Sequence, residues 1–110
     1  MSTLEGGVAG LCMSSGMSAI TYAIQTLCEA GDNIVSVSTL YGGTYNLFAH
    51  TLPRQGIEVR FFDYDKPESL LDLIDDKTKL IFGESIGNPL GNILDIKKSV
   101  SWLMARACLW

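Results

Sequence analysis

A chain of 110 residues has room for one small domain, and its formal net charge of −4, with eight Lys and Arg scattered along it, excludes the basic stripe that nucleic-acid binding needs. No apolar run reaches bilayer length, and the start MSTLEGG carries an acid and no basic n-region, so neither a membrane span nor a signal peptide is expected. Cys12, Cys28 and Cys108 are odd in number and lack CxxC spacing, so they read as reduced thiols of a cytoplasmic protein rather than as disulfides or a metal site.

In chain order, the first strong pattern is a helix over Met17 to Ala30. Ile20, Ala23, Ile24, Leu27 and Cys28 recur at helical spacing, Ser14 or Ser15 caps the start, and Gly31 suits the residue after the end. NIVSVS then reads as a strand buried on both faces. TYNLFAHTLPRQG reads as a second helix closed by Pro53 and Gly56, and IEVRFF as a second strand. KPESLLDLID is a short third helix with Pro67 near its start, and TKLIFGES a third strand. IGNPLGN is a loop, followed by ILDIKK, a short extended piece and a charged restart. Strands alternating with helices at this spacing imply parallel crossovers and an α/β fold with helices on both faces of the sheet. In such sheets ligands sit at the carboxyl ends of the strands. The turns SSGM, STLYGGT and ESIGNP are therefore expected to share one rim. A hydrophobic content of 47% is high for so small a body and suits the interior of something larger.

Three stretches carry candidate chemistry. In SSGM, the helix mouth at Gly16 and Met17 offers backbone amides and a favourable dipole to an anion, although a tight capping turn has the same composition. In LYGGTYNLF, Tyr41 followed by two glycines can present a flat ring to a flat ligand, although a core tyrosine beside a turn is the plainer reading. In ESIGNP, Glu84 and Asn88 stand at the end of a strand, where an amide can bond a ring heteroatom or simply form an Asn-Pro turn. His50, mid-helix beside Phe48 and Leu52, reads as structural rather than as a base, and GGVAGL is no dinucleotide fingerprint.

Taken together and in order, LEGG, SSGMSAITYAI, AGDNIVSVSTLYGGTYNLFAHTLPRQGIEVRF and ESIGNPLGNILDI resemble the Cys/Met-metabolism family of pyridoxal-phosphate enzymes, nearest its O-acetylhomoserine sulfhydrylase branch, from about Leu4 to Lys97. The resemblance implies a segment of the fold-type I, aminotransferase-like large domain: a three-layer parallel sheet that binds pyridoxal 5'-phosphate. It implies that Gly16 and Met17 give amides to the cofactor phosphate, Tyr41 stacks on the pyridine ring, Asn88 lies near the ring hydroxyl and Glu84 orders that wall. It implies transfer of the aminocarboxypropyl group of O-acetylhomoserine to sulfide or a thiol, with cystathionine synthesis or cleavage and methionine γ-lyase as sister activities. Full-length members are expected to be cytoplasmic homotetramers acting on small molecules.

The family's covalent anchor lysine and the aspartate that pairs with the pyridine nitrogen lie beyond ESIGNP, at positions that Lys66, Lys77, Lys79, Lys97 and Lys98 do not match, so the resemblance leaves this chain with no catalytic residue of its own. The expectation is a cofactor-domain segment over residues 1–98, inactive by itself, with a non-catalytic product as the alternative. Residues 99–110 depart from the family. Codons for this stretch read from the third base permit Leu-Ala-His-Gly-Ala-Gly-Val-Pro-Leu, which is the family's continuation in register. The tail therefore reads as frame-shifted, the alternative being a diverged helix with Trp102 and Leu103 in a core.

Overall fold

The computed structural model describes the backbone of residues 1–105 and the side chains of residues 1–101. The elements are α1 (Ser2–Glu5), α2 (Gly16–Leu27), β1 (Asn33–Val37), α3 (residues 42–54), β2 (Glu58–Phe62), a 3-10 turn (Pro67–Ser69) running into α4 (Leu70–Leu73), β3 (Thr78–Phe82) and α5 (Ile96–Ala105). The three strands form a parallel sheet in the order β2-β1-β3, with Ile34 opposite Val59 on one side and Leu80 on the other. This is the α/β parallel arrangement expected. β1 is central and all five of its residues are buried. Successive side chains of a strand point to opposite faces, so a strand buried throughout is covered on both. The core gathers Ile24 of α2, Phe48 and Leu52 of α3 and Leu70 of α4 around Ile34, Val35 and Val37. Phe48 and Phe82 meet edge to face at 5.0 Å.

The boundaries differ from the periodicity in instructive ways. α2 stops at Leu27 rather than Ala30, because Cys28 turns extended (φ −117°, ψ 144°) and buries its side chain. Gly31 consequently does not close α2. At φ +98° it turns the chain into β1 while its amide donates to the Gly56 carbonyl at 2.8 Å. Gly56 (φ +81°) comes so close that a Cβ there would lie 3.0 Å from Ala30 Cβ. α3 begins at Gly42, and Pro53 lies inside its last turn instead of ending it. Proline has no N–H for the carbonyl four residues back, and its ring crowds that carbonyl. The turn before it, Leu47–Thr51, is widened to a π turn that accommodates the ring. Pro67 does stand at the head of its helix, as expected.

After β3 the chain forms an antiparallel bridge between Ile86 and Ile93 and restarts as α5. Asp95 caps this helix by accepting from the Lys98 amide at 2.9 Å. Ser99, where the tail begins, is buried, and its hydroxyl donates to the Asp95 carbonyl at 2.9 Å. The remainder of the tail reading, including residues 106–110 and the side chains of Trp102 and Leu103, lies outside the described residues.

A polar clamp joins the first residues of β1 and β3 to Asp75 and, through Asp75, to Arg60 in the middle of β2. Asn33 Nδ2 donates to Asp75 Oδ1 at 2.8 Å, Thr78 Oγ1 donates to Asn33 Oδ1 at 2.6 Å, and Arg60 Nη1 donates to Asp75 Oδ2 at 2.8 Å. Arg60 also pairs with Glu58 at 3.0 Å. The Asn33 amide, then the Arg60 guanidinium, hold the Asp75 carboxyl well below the usual carboxylate range.

Candidate functional site

The opposite end of the sheet, where the strands finish at Val37, Phe62 and Phe82, gathers the three turns expected to share a rim. At the mouth of α2, Ser15 is the capping residue: it is extended, and its Oγ accepts from the Ser18 amide at 3.1 Å while its hydroxyl donates to Ser18 Oγ at 3.0 Å. That cap satisfies Ser18 and leaves the amides of Gly16 and Met17 with no partner among the described residues. A Cβ on Gly16 would meet nothing within 4 Å, so the space beside its Cα at the helix mouth is open.

Tyr41 follows β1 and stands just ahead of α3, with its side chain half exposed (53%). Its backbone amide donates to Glu84 Oε1 at 3.1 Å, a contact 43 residues apart in sequence that fastens the β1 rim to the β3 rim. Its ring lies over Gly43, where a Cβ would sit 2.9 Å from Tyr41 Cε1 and 3.4 Å from Met17 Sδ. The buried Thr44 hydroxyl donates to Met17 Sδ at 3.6 Å. The structure therefore brings Gly16, Met17, Tyr41 and Glu84 to one place. Asn88 is exposed on the same rim, joined to Pro89 by a cis peptide and preceded by Gly87, which packs against Thr39. No hydrogen bond joins the Asn88 side chain to the other four among the described residues. His50 is exposed in the π turn of α3.

The sequence reading missed three rim residues. Gly43 has a faint signal in the GGT run, since two adjacent glycines at a helix start sacrifice helix propensity for close approach. Thr44 and Tyr64 have none, because their contacts are made to residues 27 and 20–25 positions away. The Tyr64 hydroxyl approaches the carbonyls of Thr39 at 3.3 Å and Glu84 at 3.0 Å.

A family model for Cys/Met metabolism PLP-dependent enzymes matches residues 1–109. The chain belongs to this family. Among curated members it is 54% identical over 101 residues to the homocysteine/cysteine synthase of Kluyveromyces lactis, covering 92% of this chain and 23% of that protein. It is 52% identical over 98 residues to O-acetyl-L-homoserine sulfhydrylase 1 of Thermus thermophilus, covering 88% of this chain and again 23% of the relative. Among solved structures, one from Campylobacter jejuni described as an O-acetylhomoserine (thiol)-lyase, with pyridoxyl-lysine monophosphate in it, superposes with a TM-score of 0.90 at 43% identity over 94% of this chain and 26% of that one. The O-acetylhomoserine sulfhydrylase of Wolinella succinogenes gives 0.87 at 40% identity over 94% and 30%. The chain thus spans 23% of the length of the curated relatives it matches.

The rim fits the family's cofactor on its own chemistry. A dianionic phosphate needs unpaired donors at an open helix mouth, and Gly16 and Met17 supply them. A pyridine ring needs an accessible aromatic face at a fixed height, and the Tyr41 ring, seated over Gly43 beside Met17, is one.

Proposed function

We propose that this chain is the phosphate- and ring-holding part of a pyridoxal 5'-phosphate enzyme that transfers the aminocarboxypropyl group of O-acetylhomoserine to sulfide or a thiol in the cytoplasm, as part of a homotetramer. The observation that carries the reading is the convergence of the Gly16–Met17 amides, the Tyr41 ring and Glu84 on one rim of a sheet that superposes on O-acetylhomoserine sulfhydrylases. When bound, the cofactor supplies the electron sink for bond changes at the substrate carbons. The work of this segment is to hold it. Gly16 and Met17 direct two N–H groups and the α2 dipole at the phosphate. Tyr41 lies against the ring and excludes water from that face. Glu84 accepts the Tyr41 amide proton and so fixes the height of the ring, while Asn88, exposed on the same rim, would serve the ring hydroxyl. The covalent lysine and the carboxylate for the ring nitrogen are assigned to the parts of the relatives' length that the match leaves uncovered.

The test uses 4'-deoxypyridoxine 5'-phosphate, which lacks the aldehyde and cannot attach to surface lysines. Titrated into the isotope-labelled chain, it is expected to shift the Gly16 and Met17 amide resonances, and the same compound without its phosphate is expected to leave them in place. Unmoved Gly16 and Met17 resonances at saturating ligand would remove the basis for the reading. This chain alone is expected to form no homocysteine, so the activity is assayed with O-acetylhomoserine, sulfide and cofactor on a full-length protein that carries this segment together with the covalent lysine. Turnover of that full-length protein only in cystathionine synthesis or cleavage, or in methionine γ-elimination, would move the assignment to a sister reaction.

A further inference from the structure

Tyr64 lies in the turn after β2, outside the phosphate mouth and the ring-stacking loop, yet three rim segments meet on its hydroxyl. Its Oη is 3.3 Å from the Thr39 carbonyl, two residues before Tyr41, and 3.0 Å from the carbonyl of Glu84, whose side chain accepts the Tyr41 amide. The third segment is that of Gly87, immediately before Asn88: a Cβ there would lie 3.1 Å from Tyr64 Oη and 3.4 Å from the Thr39 carbonyl. Glycine at this position lets the chain pass close without displacing the Tyr64 hydroxyl by a few tenths of an ångström.

A phenol carries one proton, so two carbonyls share it in a three-centre hydrogen bond. Neither carbonyl belongs to the sheet ladder, and without Tyr64 each needs another donor. The side chain is half-buried, so replacing its hydroxyl by a solvent donor requires the rim to open or admit water. Burial, and then the charge of Glu84, push the Tyr64 hydroxyl above its ordinary pKa, which keeps the donating form.

We propose that Tyr64 is a positioning residue for the cofactor site: its hydroxyl staples the β1 rim to the β3 rim through Thr39 and Glu84, and thereby sets the backbone from which Tyr41 and Asn88 project. The cofactor consequence rests on the reading given under Proposed function; the staple itself does not. Tyr64 touches no reacting atom. It acts through the Tyr41–Glu84 hydrogen bond, so its loss loosens the ring-holding loop and leaves the phosphate mouth of α2 unchanged.

The experiment compares the unaltered chain with Tyr64→Phe, which keeps the ring and removes the hydroxyl. Amide hydrogen exchange is read residue by residue, together with affinity for 4'-deoxypyridoxine 5'-phosphate. In Tyr64→Phe the Tyr41 amide should exchange about tenfold faster, the loss of roughly one hydrogen bond, while Val35 and Val37 in β1 are unchanged. Affinity should fall about three- to tenfold, with Gly16 and Met17 still shifting on saturation. Tyr41 exchange that stays at the parent rate overturns the staple. Faster Tyr41 exchange in a protein that binds no ligand in either form upholds the staple and removes the cofactor reading. Should Tyr64→Phe fail to fold, tyrosine hydroxyl exchange in the unaltered chain decides: a Tyr64 hydroxyl proton protected relative to exposed Tyr22 supports the staple, and equal exchange overturns it.

Discussion

Replacing Gly43 by alanine separates two quantities that most substitutions change together. The added methyl would sit 2.9 Å from Tyr41 Cε1 and 3.4 Å from both Tyr41 Cδ1 and Met17 Sδ. Carbon atoms rest about 3.5–4.0 Å apart, so the ring edge must retreat by about 0.6–1.1 Å. A tyrosine half exposed at a rim can make that movement without disturbing the core, and the backbone of Gly43 lies in the first turn of α3, where alanine is the better residue. Fold stability should therefore hold or rise, by up to about 1 kcal/mol from reduced freedom of the unfolded chain. Cofactor affinity should move the other way. A displaced stacking face forfeits about 0.5–1.5 kcal/mol, or about two- to thirteenfold in affinity. Urea unfolding gives the first quantity and equilibrium dialysis with 4'-deoxypyridoxine 5'-phosphate the second. Affinity equal to the parent's would refute the placement of the ring. Weaker binding accompanied by a stability loss above about 1 kcal/mol would also refute it, since the methyl would then have displaced α3 rather than Tyr41.

Tyr41→Ala should weaken retention of the cofactor analogue more than Gly43→Ala does, while Tyr41→Phe keeps most of it; equal retention by Tyr41→Ala and the parent counts against stacking. Phe48→Ala, at a fully buried ring packed edge to face on Phe82, should cost about 3–5 kcal/mol in urea unfolding, and a cost below about 1 kcal/mol would show that the core does not depend on that contact. Because the folded pKa of Asp75 is depressed, its stabilisation is present above the unfolded value near pH 4 and is lost as the pH falls through the lower folded value. Asp75→Asn should therefore lower stability at pH 7 and flatten the acid limb of the stability–pH curve; parallel curves for the two proteins would contradict the clamp.

Much of the architecture was legible because it is written in periods. The β-branched run of β1 could only be a strand, and its lack of polar alternation announced burial on both faces, as found. The rim followed from topology, since parallel strands place the turns after β1 and β3 at one end. What could not be read depended on contacts across the chain. Periodicity carries α2 through Cys28 to Ala30, but Cys28 is claimed by the core and Gly31 by the Gly56 turn, so the helix ends early. Pro53 marks a local obstacle, and whether a helix stops or widens there is decided by the burial of Leu47, Phe48 and Leu52 on either side. Ser14 and Ser15 are equivalent in sequence; only the extended backbone at Ser15 selects it as the cap. Tyr64 sits in a turn where any polar residue would serve locally, so its bonds to Thr39 and Glu84 leave no local trace.

The clamp of Asn33, Arg60, Asp75 and Thr78 has a consequence for how sequences of this kind can vary. It ties the origins of β1 and β3 to the middle of β2, whereas the groups that face a ligand are carried beyond the strands' far ends. A sheet anchored by its roots lets the crown be rewritten. Insertions and exchanges in the turns after Val37 and Phe82 can retune ligand preference while the strand register, set five residues earlier, stays in place. The reverse exchange is not available: an alteration at Asn33 or Asp75 shifts the alignment of every strand that delivers the rim, so tolerance along this chain should be polarised from one end of the sheet to the other.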